Sequence, residues 1–501
     1  MSENLFDILE RGIADPEATA IETPAGERIR YADLVARTGR MANALVSLGV
    51  APGDRVAAQV EKSVEAIVLY LATVRAGGVF LPLNTGYTPA EIDYFVGDAR
   101  PRVFACDPAR ADALAPIAEA AGARLMTLDG DGRGSLADAA DAAAPAFATV
   151  PRQADDLAAL LYTSGTTGRS KGAMLTHGNL VSNTLALREA WHYSAEDVLI
   201  HALPIFHTHG LFVATNVTLF SGASMIFLPR FDVDRIFEAM TRATVLMGVP
   251  TFYVRLLQDD RLTAENTKGM RLFISGSAPL LAETHREWQA RTGHAILERY
   301  GMTETNMNAS NPYDGERIAG TVGLPLPGVE IIVTDPETGT ELPRDEIGMI
   351  EVRGPNVFSG YWQMPEKTAA ELRANGFFIT GDLGKIDQRG YVHIVGRGKD
   401  LIITGGYNVY PKEIEAELDA LPGVTESAVI GLPHRDFGEG VTAVLVGPAP
   451  PSEPEILAAL EGRLARFKLP KRVVVVDELP RNTMGKVQKN LLRERFKDLY
   501  E

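Results

Sequence analysis

At 501 residues the chain is too long for one hydrophobic core, which predicts a large domain or two plus a smaller one. Hydrophobic residues at 46% and charged residues at 23% exclude a disordered or fibrous chain. A net charge of -16 excludes broad electrostatic attachment to nucleic acid or to an anionic membrane, so an anionic ligand needs a local basic pocket. No run of 18 apolar residues occurs, and the start MSENLFDILERG lacks the basic and apolar parts of a signal peptide. Both features predict a cytoplasmic protein. The one cysteine, Cys106, rules out an internal disulfide and a cysteine metal cluster; its place in VFAC predicts a buried thiol.

Residues 1 to about 150 alternate between two periodicities. Leu34, Val35, Met41, Leu45 and Leu48 recur at helical spacing up to Gly49, and 55–60 reads as a strand after the turn Pro52-Gly53-Asp54. A helix over 64–76 stops at Gly77-Gly78 and is followed by a buried strand over 79–83. The alternation recurs at 89–98 and 102–106, which predicts a parallel-rich α/β sheet. The Ala- and Asp-rich stretch 137–156 is expected to cross the surface between subdomains. Strands are predicted at 157–161, 199–203, 224–228, 244–249, 271–275 and 295–300, with a helix over 179–191. Several of these strands end in polar or glycine-bearing turns, where ligands sit in open α/β sheets. Beyond Gly396 the pattern changes to a helix at 411–421, strands near 427–430, 441–446 and 472–476, and a helix at 455–467, enough for a small α+β domain.

The stretch 161–172, LYTSGTTGRSKG, concentrates three glycines, five hydroxyls and the cations Arg169 and Lys171. Glycine tolerates the dihedrals that bring backbone N–H groups to a polyphosphate, and the hydroxyls and cations add donors and charge, so it reads as a phosphate cradle. It is not the P-loop G-x-x-x-x-G-K-[ST], because Ser170 stands where that pattern needs glycine. Glu304, in YGMTE, is a candidate Mg2+ ligand, since Mg2+ combines few protein carboxylates with substrate phosphates. Asp382 in FITGD could accept from a ribose diol. His207 and His209, in PIFHTHG, have the closeness of a metal pair, but no further His or Cys cluster accompanies them.

In this order, TSGTTGRSKG, PIFHTHG, GSAPL, YGMTE, FITGD, GRGKD with GGYNVYPKEIE, and PRNTMGK, the motifs resemble the acyl-adenylate-forming superfamily of acyl-CoA synthetases over essentially the whole chain. The one departure is Ser170, where many members have proline. The resemblance implies a large N-terminal domain of packed α/β subdomains over 1–398 and a small mobile α+β domain over 399–501, with Lys399 as hinge. It assigns Thr163, Ser164, Gly165, Thr166, Thr167, Gly168 and Lys171 to the ATP triphosphate. Gly276, Ser277, Ala278 and Tyr300 go to the adenine, Thr303 to phosphate, and Asp382 and Arg397 to the ribose. Glu304, with Thr163, is assigned to Mg2+, Lys486 to the reacting carboxylate and α-phosphate, His207 to the acyl and CoA gate, and Gly405 and Gly406 to the CoA tunnel. The implied chemistry is formation of an acyl-AMP from ATP and a carboxylate, then displacement of AMP by the thiol of CoA.

The strings HALPIFHTHGLF, ERYGMTETNMNASNPYDG and DELPRNTMGKVQKN are similar to those of malonyl-CoA synthetases. That implies malonate as the acid, with methylmalonate, one methyl larger, as a second. A dicarboxylate needs a second cation, because an unpaired distal carboxylate in a closed site costs several kcal/mol. Arginine suits it through bidentate donors. Arg255, one helical turn beyond GVPTFY, is the first candidate and Arg286 the second, ahead of Arg271 and Arg299; Ser277 and Met302 complete the expected acyl pocket. Rival readings are a short-chain or aromatic acyl-CoA synthetase, an adenylation enzyme loading a carrier protein, and a silent nucleotide-binding scaffold. Lys486 is also an expected target for a lysine acyltransferase, because acylation removes its charge.

Overall fold

In the computed structural model the alternating pattern becomes four sheets. The structure describes residues 2–163, 170–404, 407–434, 436–461, 463–464, 466–482 and 485–500, without the side chain of Asn408. A nine-stranded sheet has a parallel centre running from Leu297–Met302 through Leu272–Ser275, Val245–Gly248, Val198–His201 and Ser224–Phe227 to Thr19–Glu22. A seven-stranded sheet carries Val79–Pro82, Arg55–Gln59, Val103–Cys106 and Arg124–Thr127 in parallel, with Leu157–Thr163 beside them. Cys106 is fully buried there. One continuous core joins residues of both sheets. The helix Val64–Arg75 runs through it, and eleven of its twelve residues are buried. A helix that is apolar all round has no solvent face and belongs in such a place.

A four-stranded antiparallel sheet, Glu330–Thr334, Gly348–Arg353, Phe378–Ile386 and Val392–Arg397, completes the large domain. The small domain is a five-stranded sheet built on the long hairpin Glu426–His434 and Gly438–Val446, with separate apolar clusters on its two faces. Fold and class are those expected: mixed α/β with a separate, smaller α+β C-terminal domain.

The structure refines three expectations. The helix expected at 179–191 is present as His177–Ala190, capped by Thr176, and between it and the glycine-rich loop runs the strand Lys171–Thr176, antiparallel to Leu157–Thr163. Residues 137–141 belong to the helix Ser135–Asp141; the rest of the stretch runs along the surface, held where Arg40, Asn43 and Arg75 donate to the carbonyls of Ala143, Ala144, Ala146 and Phe147. The helix predicted at 455–467 ends at Leu460, where Glu461 turns extended just before Gly462, a poor helix former. Among the described residues no helix is long and apolar enough to cross a membrane.

Candidate functional site

The carboxyl ends of the parallel strands gather the turns expected to bind ligand. Val245–Gly248 leads into the helix Pro250–Leu257, Leu272–Ser275 into Gly276-Ser277-Ala278, and Val198–His201 into the segment bearing His207. In an open parallel sheet this edge is where ligands bind. The small domain meets the same edge: a Cβ built on Gly485 would lie 3.8 Å from the Thr251 methyl.

On the nucleotide side the charges are mutually paired. Asp382 and Arg397 face each other across two antiparallel strands, with Nε 2.8 Å from Oδ1. Tyr300 donates to Asp382 Oδ2 at 2.5 Å, and Thr380 Oγ1 accepts from the Asp382 backbone N–H at 3.0 Å. The Asp382 carboxylate, 3% exposed, is therefore held by two elements at once. Glu304, buried, accepts from Tyr361 at 3.0 Å, and burial raises its pKa against the opposing pull of Lys171 and Arg397. Lys171 Nζ donates to Tyr361 at 3.0 Å, pairs with Glu371 at 3.2 Å and lies 4.1 Å from the Tyr361 ring centre. Thr163 ends its strand opposite Lys171, so both emerge at the tip of the hairpin whose loop was read as the phosphate cradle. Ser164, Gly165, Thr166, Thr167 and Gly168 lie outside the described residues, as do Gly405 and Gly406 between Ile402–Thr404 and Tyr407–Val409.

Lys486 comes from the small domain into this set of charges. Its backbone N–H donates to Asn482 Oδ1 at 3.0 Å, and Arg481, paired with Glu426, donates to the Gly485 carbonyl at 2.6 Å. The side chain stays open to solvent although protein surrounds it, as expected of a group projecting into a cleft. Burial within the cleft and Arg397 lower its pKa, while Asp382 and Glu304 oppose them. Lys399 is exposed in the turn Gly398–Asp400, next to Asp400, which pairs with Arg493 at 2.7 Å.

The acyl side is different. Arg299, 3% exposed, projects from Leu297–Met302, and its Nε and Nη2 have no hydrogen-bond partner among the described residues. A Cβ on Gly276 would fall 2.3 Å from the Arg299 Cζ, so the guanidinium occupies the space that glycine leaves. Glu298, on the opposite face because adjacent strand residues alternate, acts on Arg299 only through its charge and makes no direct ion pair with it; it accepts from the Leu280 N–H at 3.2 Å. Arg299 and Lys486 both depress the pKa of His207, which burial has already lowered, and together they hold it at about 3. His207 Nδ1 accepts from the His209 N–H at 3.4 Å, which puts the ring proton of this neutral imidazole on Nε2.

Neither of the arginines first expected to read a second carboxylate stands in this pocket. Arg255 is exposed on the outer face of Pro250–Leu257, with its guanidinium 5.7 Å from the Phe231 ring centre; helical phase turns it outward, one turn after the strand end. Arg286 is exposed on Ala282–Thr292. Arg271 is committed to Asp197 at 2.7 Å. Ser277 and Ala278 are half-buried beside Gly276, and Met302 packs against the main core. Thr303 is half-buried next to Glu304. The Asn306–Asn308 run is buried, and Asn306 has neither side-chain polar atom partnered. The signal for Arg299 was its position one residue before YGMTE, on the strand that carries the site.

Among the described residues no group of three or more His, Cys, Asp and Glu side chains could hold a metal by itself. One buried carboxylate, Glu304, suits a Mg2+ ion held mainly by phosphate oxygens.

A family model described as AMP-binding enzyme matches residues 10–362, and one described as AMP-binding enzyme C-terminal domain matches 413–486. A feruloyl-CoA synthase of an Amycolatopsis species is 38% identical, over 97% of this chain and 98% of that one. The malonate–CoA ligase of Arabidopsis thaliana is 35% identical, over 90% of this chain and 79% of its own. The crystal structure of ATP-bound MatB from Rhodopseudomonas palustris covers all of both chains at 69% identity with a TM-score of 0.99; apo MatB superposes at 0.88.

Proposed function

The chain belongs to the AMP-binding enzyme family, and from that premise we propose that it is an AMP-forming acid–thiol ligase joining malonate to CoA at the expense of ATP. The observation that carries the choice of acid is Arg299, a buried guanidinium beside Gly276 whose Nε and Nη2 have no partner among the described residues. A feruloyl or other apolar group would leave that cation uncompensated, whereas a distal carboxylate supplies its counter-charge. Methylmalonate differs by one methyl, worth about 1–3 kcal/mol of discrimination, and is expected as a weaker substrate.

In this reading one malonate oxygen attacks the α-phosphorus of ATP. A carboxyl O–P bond forms, the bond to the β-phosphate breaks, and pyrophosphate leaves with the electron pair. Lys486 stabilises charge on the α-phosphate and the attacking carboxylate, as a fixed cation in a cleft does most effectively. Lys171 and the loop before it bind the β- and γ-phosphates. Asp382 accepts from the ribose hydroxyls, held in place by Tyr300 and Arg397. Glu304, with Thr163 nearby, would hold Mg2+, which when bound offsets phosphate charge. His207, neutral with its proton on Nε2, donates to the acyl group without adding charge.

In the second half-reaction the CoA thiolate attacks the acyl carbonyl, a C–S bond forms, and AMP leaves with the C–O electron pair. Lys486 has no part in this step. The small domain turns about Lys399 between the two halves and brings 405–406 to the CoA channel; the higher TM-score to the ATP-bound relative supports the adenylating arrangement for the structure described. Acylation of Lys486 by a lysine acyltransferase would silence the first half alone.

The test is CoA-dependent AMP release with malonate, methylmalonate, succinate, acetate and coumarate, run in parallel on Arg299→Met. The parent should prefer malonate, and the variant should lose it by about 10^2 to 10^4-fold, the cost of breaking a buried ion pair of about 3–5 kcal/mol, while keeping any turnover of acetate. Preference for acetate or coumarate, unchanged in the variant, would overturn the substrate.

A further inference from the structure

Residues His209–Thr215 form a π-helix, a widened turn found mostly at functional sites. Its first residue, His209, is 1% exposed; Nδ1 lies 3.2 Å from Ser277 Oγ, and Nε2 is buried without a partner among the described residues. Ser277 has φ of +71°, in the left-handed region that costs a residue bearing a Cβ. Such a conformation persists only when its surroundings hold it.

The surroundings here are rigid. Lys62 donates to His201 Nδ1 at 3.0 Å and to the His201 carbonyl at 2.8 Å. That leaves the His201 ring proton on Nε2, which donates to the Gly210 carbonyl at 2.9 Å and lies 3.1 Å from Thr215 Oγ1. Both ends of the wide helix are thereby pinned to the end of Val198–His201. A Cβ on Gly210 would fall 2.0 Å from the Pro204 carbonyl oxygen, so the backbone there has no slack.

We propose that His209 is a positioning residue for dicarboxylate recognition: its Nδ1–H donates to Ser277 Oγ, holds Ser277 in its left-handed conformation, and leaves the Ser277 hydroxyl proton free to donate to the distal carboxylate beside Arg299. The tautomer follows from the neighbours. Burial, then the charge of Arg299, keeps the His209 ring neutral, with one donor and one acceptor nitrogen. Were Nδ1 the acceptor, Nε2 would be a buried N–H with no acceptor among the described residues, the costlier of the two ways to leave that nitrogen unpartnered. With the proton on Nδ1, the unprotonated Nε2 meets positive potential. This inference rests on the reading of Arg299 as the receptor of the distal carboxylate, and it adds a second donor whose aim is set from the π-helix.

Malonate KM, acetate KM, ATP KM and kcat should be measured for His209→Leu, His209→Asn, His209→Gln, Ser277→Ala and the Leu/Ala double variant. Asn keeps an N–H where Nδ1 was, and Gln moves it to where Nε2 was. His209→Leu and Ser277→Ala should each raise malonate KM about tenfold, the worth of one hydrogen bond to a charged group; in His209→Leu, ATP and acetate KM should stay within about twofold. The double variant should be no worse than either single one, and Asn should restore what Gln does not. Malonate KM unmoved in His209→Leu, or losses that multiply in the double variant, would sink the inference. Should His209→Leu not fold, Asn and Gln decide, and equal behaviour of the two overturns it. Arg299→Met separates the premise: if that variant keeps malonate, the receptor reading fails, whereas malonate loss there with silent His209 variants rejects His209 alone.

Discussion

The two sides of the cleft handle charge in opposite ways. On the proposed nucleotide side, three charges of the large domain have partners among the described residues: Asp382 has Arg397 and Tyr300, Glu304 has Tyr361, and Lys171 has Glu371. On the acyl side Arg299 has none among the described residues. A paired group is stable alone and accepts any ligand that matches its geometry, which suits a nucleotide common to many reactions. An unpaired buried cation makes a demand on the ligand, because its desolvation is repaid only by an anion. The shared chemistry thus sits in a self-sufficient shell, and the selectivity in an incomplete one.

The largest expected effect tests the boundary between the two sides. Lys486→Ala should slow pyrophosphate-releasing adenylation by about 10^2 to 10^3-fold, the usual cost of one preorganised donor to developing charge, and leave thioester formation from preformed malonyl-AMP nearly intact. Equal loss of both half-reactions would mean that Lys486 serves the fold rather than the first transfer. Gly276→Ala is next. Its Cβ cannot coexist with the Arg299 guanidinium 2.3 Å away, and overpacking of that kind costs about 1–3 kcal/mol, so malonate KM should rise roughly tenfold while ATP KM holds. A matching rise in ATP KM would return Gly276 to the adenine side and blur the division.

The smallest effect concerns stability. Glu298, buried on the opposite face of the Arg299 strand, has its pKa pushed up to about 7, mainly by burial. Its folded pKa lies above its unfolded one, so its contribution is fully present below the unfolded value and is lost as pH rises through about 7. Asp419, raised to about 7 by burial in the small domain, acts in the same direction. Glu298→Gln should therefore be more stable than the parent at pH 8 by on the order of 2 kcal/mol, and no more stable at pH 5. Denaturant melts at the two pH values check it; equal gains at both would show that packing and not ionisation is responsible.

Much of this was legible in the sequence. Period and punctuation located Val64–Arg75, Val79–Pro82, Pro89–Ala99 and Pro411–Asp419 to within a residue or two, because amphipathic spacing and Gly or Pro stops act locally. The motif order marked Glu304, Asp382, Arg397 and Lys486, and the fold brings these four together. The helix expected at 179–191 is present as His177–Ala190, whereas the strand Lys171–Thr176 before it is not legible in the sequence, since its pairing with Leu157–Thr163 is a choice that local pattern does not carry.

The sequence by itself determined the class of fold and the presence of a separate C-terminal domain, and its motif order supplied the proposed nucleotide-binding residues, because each depends on residue types at fixed separations along the chain. Only the tertiary structure separates the four candidate arginines, and the proposal of Arg299 as reader of the acid rests on that separation. Arg255, Arg286, Arg271 and Arg299 are chemically identical in the sequence. They differ in what surrounds them: solvent for the first two, Asp197 for the third, and for the fourth a buried pocket where Gly276 leaves room and no carboxylate faces it among the described residues. Burial and pairing are properties of neighbours brought from distant parts of the chain, and they exist only once the chain has folded.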